Sequence, residues 1–288
     1  MAEFHQYRDT DYDSVCDFLI ELNKCDRRHI NWNWARFEWM YGHPEFDWDA
    51  RHAIGLWRNG GKVVGAAIYD MYFGEAFIGA LPDYAELYPE IFGYAWKELK
   101  DGEGLGIALR EDSRSEIEAA KAAGFALDER KETVMRLELD SISRPELPEG
   151  FSIAQPDPER ELEALQWLFW QGFDHGDDYE EFLREEKICP RPRKHFDPRL
   201  GIAAAAPSGR YTAYCGLWYH ENTDYAYVEP VCTVPEYRGR GIAKALLLEV
   251  LNRAKALGAK EAYVISDQMF YRKLGFTEAY RFPFFWKK

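Results

Sequence analysis

The sequence is poor in the residues that staple folds together covalently or through metals. Its five cysteines, at positions 16, 25, 189, 215 and 232, contain no Cys-x-x-Cys pair and leave one over, which argues against a disulfide framework or a structural zinc site. No uninterrupted apolar stretch approaches the ~20 residues of a membrane span. The first residues, Met-Ala-Glu-Phe-His-Gln-Tyr-Arg, have no apolar core of a signal peptide. A cytoplasmic protein with no membrane partner is expected. Positive charge is also short: 36 Lys and Arg stand against 50 Asp and Glu, a net charge of −14. A nucleic acid partner is therefore not expected, since such affinity rests on basic surface that neutralises phosphates. The surplus acidity favours a cationic substrate, such as an amine. No Gly-x-x-x-x-Gly-Lys-Ser/Thr loop occurs, and Gly239-x-Gly241 lacks the third glycine of a dinucleotide fingerprint.

What is present is a chain of 288 residues, long for one compact α/β unit and comfortable for two domains of about 100–200 residues each. From Leu200 onward the turn chemistry predicts an antiparallel meander. Strands fall at Leu200–Ala206, Tyr211–Tyr219 and Tyr225–Val234, separated by Pro207-Ser-Gly209 and a polar turn at Glu221–Asp224. A helix over 241–257, a strand at Glu261–Ile265, a short helix holding Tyr271 and an aromatic strand around Tyr280–Trp286 follow. Upstream, Phe151–Ala154 reads as a strand, Glu159–Phe173 as a helix, and Asp174–Pro198 as a variable helical arm. The N-terminal half repeats this layout faintly. Strand Phe4–Tyr7, helix Tyr12–Leu22, strands Ala53–Trp57 and Val63–Tyr69, a helix near Tyr88–Leu99, strand Gly104–Leu109 and helix Ser115–Ala123 run in that order. Asp140–Gly150, rich in Pro and Ser, reads as the linker between domains at 1–140 and 148–288.

The densest chemical signal is Val231-Cys-Thr-Val-Pro-Glu-Tyr-Arg-Gly-Arg-Gly-Ile-Ala-Lys-Ala-Leu-Leu247, a strand running through a glycine and arginine turn into a helix. The first turn of a helix leaves backbone N–H groups without intrahelical partners and carries the positive end of the helix dipole, so an anion fits there. Gly239 and Gly241 let the backbone turn sharply and approach a ligand, while Arg238, Arg240 and Lys244 add positive charge. Ile242, Leu246, Val250, Ala254 and Leu257 recur at helical spacing behind the turn, and Gly258 reads as the C-terminal cap.

These residues resemble the GNAT superfamily of acyl-CoA-dependent N-acetyltransferases. Its Arg/Gln-x-x-Gly-x-Gly/Ala signature reads here as Arg238-x-x-Gly241-x-Ala243, and its Tyr-x-x-x-Gly-Phe element as Tyr271-x-x-x-Gly275-Phe276. The N-terminal half retains only a Gly124-Phe125 echo and no anion turn. The resemblance implies an α+β architecture of two tandem GNAT-like domains, each a mixed, mainly antiparallel sheet flanked by helices, the first having lost its cofactor loop. It implies acetyl-CoA as cosubstrate, with Cys232, Thr233 and Val234 pairing with the pantetheine arm as an added strand. Arg238, Gly239, Arg240, Gly241, Ile242, Ala243 and Lys244 would hold the pyrophosphate.

Acetyl transfer from a thioester to an amine proceeds by direct attack. It needs a base, an oxyanion donor and an acid for the leaving thiolate. The resemblance assigns the acid to Tyr271, whose other reading is a core aromatic. It places the oxyanion donor on a backbone N–H of the strand ending at Val234. Glu229 is the candidate base, the alternative being a structurally paired glutamate, and Pro230 beside it predicts a bulge or open edge. Ser266 and Asp267 depart from the spacing that the family carries before its tyrosine. Cys232 reads as packing in a buried strand. His175, His195 and Cys189 match no metal-ligand spacing and read as loop residues, so no metal is expected. Trp32, Trp34, Phe37, Trp39, Met40 and Tyr41 read as core, with an aromatic acceptor pocket as the bolder alternative.

The expected reaction is acetylation of a primary amine on a small molecule or peptide. A noncatalytic CoA-binding or sensing protein and a tRNA-dependent aminoacyl transferase are the alternatives. The acidic balance and the intact anion turn both speak against the second of these. A sheet edge left exposed would permit a homodimer.

Overall fold

The computed structural model of the protein describes every residue except 1, 25, 44, 177 and 180–193. Cys25, Cys189 and most of the arm expected over Asp174–Pro198 therefore lie outside the described residues.

The N-terminal half runs β1 (Glu3–Gln6), α1 (Tyr12–Leu22), α2 (Trp34–Tyr41), β2 (Gly55–Asn59), β3 (Lys62–Asp70), β4 (Tyr72–Ala80), α3 (Tyr88–Glu98), β5 (Leu105–Ala108), α4 (Arg114–Ala122) and β6 (Ala126–Glu138). The C-terminal half follows with β7 (Ser152–Ala154), α5 (Leu162–Gly172), β8 (Gly201–Ala205), β9 (Tyr211–Tyr219), β10 (Tyr225–Thr233), α6 (Ile242–Leu257), β11 (Glu261–Ile265), α7 (Met269–Lys273) and β12 (Thr277–Lys287). The fold is α+β, as the turn and periodicity signals require. Elements with strong alternation or helical period fall where the sequence places them. The sequence reading does not register β4, β6 or α2 as elements. After an exposed Ala126-Leu127, β6 runs through Asp128-Glu-Arg-Lys-Glu132, and no apolar pair is buried before Val134 and Met135, so it carries little strand signature.

Among the described residues the strands form one sheet in the order β1-β2-β3-β4-β5-β12-β6-β11-β10-β9-β8-β7. The centre of that order crosses the halves. β6, from the N-terminal half, lies between β12 and β11, antiparallel to both, and β12 lies between β5 and β6. The core is shared accordingly: one cluster contains most N-terminal apolar residues together with Trp218, Tyr225, Tyr227, Tyr263, Phe282 and Phe285 of the C-terminal half. A second cluster packs Ile242, Leu246, Leu247, Val250, Leu251 and Ala254 of α6 on the C-terminal strands. Arg27 adds a polar tie across the halves, with its guanidinium on Glu261 at 3.0 Å and on Asp224.

Both halves contain a parallel strand pair that diverges. β10 pairs with β11 only over Tyr225–Tyr227 before the two separate. β4 meets β5 in parallel at Glu75 and Gly106 alone. The fates of the two wedges differ. In the N-terminal half, the segment before α2 fills it: His29 lies edge-on to Phe77 at 5.4 Å and Trp32 stacks on Phe77 at 5.6 Å. The chain beyond β4 then enters a 3-10 turn over Pro82–Leu87, acidic at Asp83, with nothing like the glycine turn before α6. The C-terminal wedge stays open.

Candidate active site

The open wedge is a cavity of about 560 Å³. Val228, Glu229, Pro230 and Val231 of β10 form one side, Val264 and Ile265 of β11 the other, and Tyr271 of α7 closes one end. The shape follows from a local break in β10. Its pairing with β9 shifts register between Val228 and Val231, so Glu229 and Pro230 form the bulge expected from the proline. The Trp218 indole N–H donates to the Glu229 carbonyl at 2.8 Å and pins the bulge. Gly216 stands opposite, where an added Cβ would come within 2.6 Å of that carbonyl oxygen.

Glu229 lines the cavity, yet its Oε2 is shut off from solvent and has no hydrogen-bond partner. Burial pushes its pKa up to about 7, against the pull of the Arg36 guanidinium and a hydrogen bond from Tyr227. A carboxyl that titrates near neutrality beside an open cavity is suited to taking a proton. Tyr271 lines the same cavity and is 8% exposed, and burial raises its hydroxyl well above the ordinary phenol range, keeping the proton in place. Its ring packs edge-on against Phe270 and Phe276, so the packing and acid readings of this residue coexist.

The glycine turn follows β10 directly. Gly239 and Gly241 have φ of 76° and 82°, left-handed backbone that favours glycine, and a Cβ at either would meet nothing within 4 Å, so the space above the turn is open. Before α6 makes its first intrahelical bond, from the Ala245 N–H to the Gly241 carbonyl at 3.0 Å, the amides of Ile242, Ala243 and Lys244 have no intrahelical acceptor. Lys244 is exposed on this turn. These groups suit a polyanion such as the pyrophosphate of CoA.

Three details differ from the sequence reading. Arg238 is exposed, but its guanidinium is partly engaged on the protein: it donates to the Thr233 carbonyl at 2.9 Å, the Gly172 carbonyl at 3.0 Å and Asp174 at 2.8 Å, tying the turn to α5. Arg240 likewise donates to the Glu236 carbonyl and lies over the Tyr237 ring. The Val234 amide donates to the Thr212 carbonyl, which removes it as an oxyanion donor, and the Thr233 carbonyl already accepts from Arg238. Cys232 is buried packing, its thiol pushed up to about 12 by burial and so held neutral.

The N-terminal half completes the cavity, in keeping with the expectation that the N-terminal domain borders the C-terminal site. Arg36 and Trp39, three residues apart on one face of α2, line it together with His43. Trp32, Trp34, Phe37, Met40 and Tyr41 are buried core, while Trp39 lines the cavity. Arg36 binds Glu132 of β6 and Asp70 of β3, each at 2.8 Å. His175 and Phe173 line the cavity from the end of α5. His195 instead meets Glu38 and, through it, Cys16, whose thiol lies 3.6 Å from the Glu38 carboxylate. Neither Ser266 nor Asp267 lines the cavity; the Ser266 hydroxyl accepts from the Gln268 amide. A helical period could have flagged Arg36 and Trp39, but nothing local connects α2 with a bulge some 190 residues later.

A diverging parallel pair and the side chains of Glu229 and Tyr271 thus meet around one cavity, and a glycine turn at a helix start follows β10. Residues 160–276 match the family model for acetyltransferases of the GNAT family. Solved structures share the fold over the whole chain. A tandem GNAT protein from the clavulanic acid biosynthesis pathway, solved without AcCoA, is 16% identical, with 100% of this chain and 98% of that one covered and a TM-score of 0.60. A GCN5-related N-acetyltransferase from Sphaerobacter thermophilus is 18% identical, with 99% and 95% covered and a TM-score of 0.57. A GNAT-family acetyltransferase from Colwellia psychrerythraea is 15% identical, with 99% and 100% covered and a TM-score of 0.55. No curated protein matches the sequence. Two tandem GNAT-like units fit this whole-chain likeness. Among the described residues no helix is long and apolar enough to cross a membrane.

Proposed function

We propose that the protein transfers the acetyl group of acetyl-CoA to a primary amine of a small molecule or peptide, with the chemistry in the C-terminal domain over 148–288 and the domain over 1–140 walling the acceptor side. The observation that carries this reading is Glu229, a carboxyl with a buried, unpartnered oxygen and a pKa near 7, in the cavity that also holds Tyr271. In the proposed reaction Glu229 takes a proton from the acceptor ammonium, directly or through a water. The free amine attacks the thioester carbonyl, a C–N bond forms as the C–S bond breaks, Tyr271 protonates the departing thiolate, and the second proton shed by the nitrogen restores the phenol, so that one proton leaves overall through Glu229. The free edge of β10 beyond Tyr227 would seat the pantetheine arm, and the turn over Gly239–Lys244 the pyrophosphate.

Titration calorimetry with acetyl-CoA tests the donor half of this reading. The natural protein is expected to bind in the micromolar range. Gly241→Asp, which sets a carboxylate in the space for the anion, is expected to weaken binding by about 100-fold or more. Arg238→Ala is expected to weaken it less, by about tenfold, because Arg238 acts by holding the turn. No binding by the natural protein would overturn the reading. Tyr271→Phe probes the acid: kcat, read by thiol release, is expected to fall by about 100-fold, with acetyl-CoA affinity within about twofold of the natural protein's. An unchanged kcat would remove Tyr271 from the chemistry.

A further inference from the structure

The charge around the cavity restricts the acceptor. Among the described residues that line it, Arg36 is the only arginine or lysine. Three of its N–H groups are held on the protein side: Nη1 donates to Glu132 at 2.8 Å and to the Asn31 carbonyl at 2.7 Å, Nη2 donates to Asp70 at 2.8 Å, and the plane lies over the Trp32 ring at 5.0 Å. Two carboxylates therefore more than cancel its charge, and Glu229 adds a third acidic group a short way along the wall. His43 offers no lasting compensation, since burial lowers its pKa and keeps the ring neutral. An acceptor bearing a carboxylate would have to displace Asp70 or Glu132 from Arg36, or lie unpaired beside Glu229, and both are costly in a partly desolvated site. The remaining lining, Trp39, Phe173 and Tyr227, offers aromatic surface that suits a cation or an apolar body.

We infer that the acceptor is a cationic amine without a carboxylate, so that the site discriminates against α-amino acids in favour of their decarboxylated counterparts. This rests on the acetyl-transfer reading for which atom is acetylated, whereas the charge argument stands on the cavity alone. The mechanism of exclusion is that the one guanidinium among the described lining residues is already held by two carboxylates, the converse of the usual clamp that a carboxylate meets in an arginine fork.

The test titrates two matched pairs, tyramine against tyrosine and cadaverine against lysine, into the full-length protein with and without saturating CoA, and measures acetylation of each by thiol release. The amine of each pair is expected to bind at least about 20-fold more tightly than its amino acid, the order set by one like-charge contact near a protein surface. The same preference is expected in kcat/KM. Asp70→Asn, which frees Nη2 of Arg36, is expected to narrow the gap by about fivefold or more, and Glu132→Gln repeats that test should the first variant not fold. Equal or tighter binding of the amino acids, binding of neither member of either pair, or a gap unmoved in the variants would overturn the inference. Loss of CoA binding with the amine preference intact would instead overturn the acetyl-transfer reading and leave this one standing.

Discussion

Glu229→Gln is expected to lower kcat/KM by about 100- to 1,000-fold while making the folded protein more stable above neutral pH. Both effects come from one cause. Burial raises the pKa of this carboxyl from 4.5 to about 7, so the folded protein holds a proton that the unfolded chain has already released anywhere between those values. Stability contributed by that proton is therefore present at low pH, declines as pH climbs from about 4.5, and is lost once pH passes about 7. The deprotonated group then sits at a cost of about 3 kcal/mol relative to an ordinary glutamate. Glutamine carries no such cost and is close to isosteric. Thermal unfolding at pH 8 is expected to rise by at least about 3 °C in the variant, with little difference near pH 4.5. The natural enzyme is expected to show activity ascending with a midpoint near pH 7, and the variant to lose that limb. An unchanged rate would exclude Glu229 as base, and an unchanged melting point at pH 8 would mean that the carboxyl is paired in solution.

Cutting the chain within 141–147 is expected to abolish independent folding of both pieces. Separated from its partner, the N-terminal piece would hold β6 without either of its neighbours, since β11 and β12 both lie beyond the cut. It would also expose the edge of β5 that β12 covers over Leu105–Ala108. The C-terminal piece would keep β12 with no strand on either side and would uncover Phe282 and Phe285, each at most 3% exposed in the whole protein. Unpaired edges of this kind aggregate, and the lost burial of such aromatics costs about 3–5 kcal/mol each. Each half expressed alone is expected to be insoluble or to lack a cooperative thermal transition, while co-expression is expected to recover a soluble 1:1 complex. A soluble N-terminal piece that melts cooperatively by itself would show that its core does not depend on the exchanged strands. The division at 140–148 thus marks a boundary we propose in the sequence, while the sheet runs across it.

The pairing of Gly239 and Gly241 with the periodic apolar face of α6 was legible because anion turns and amphipathic helices are local: their geometry depends on residues within a few positions of one another. The same holds for the meander of β8 to β10 and for the bulge at Pro230, where the missing N–H announces a break in the ladder. Arg238 has a further task that no local pattern shows. An arginine beside a glycine turn looks like an anion ligand and nothing more until the end of α5 is seen to bring the Gly172 carbonyl and Asp174 within its reach.

By itself the sequence determined the secondary structure with strong period and the position of the glycine turn before α6, both consequences of side-chain pattern and backbone preference over short distances. Only the tertiary structure decided that β6 and β12 are exchanged through the centre of the sheet and that Arg36 and Trp39 wall a cavity formed mainly by the other half. It likewise decided that Glu229 is buried beside that arginine with one oxygen unpartnered. Those facts depend on which distant surfaces exclude water together, and a carboxyl's pKa or an arginine's availability follows from that exclusion rather than from its neighbours along the chain.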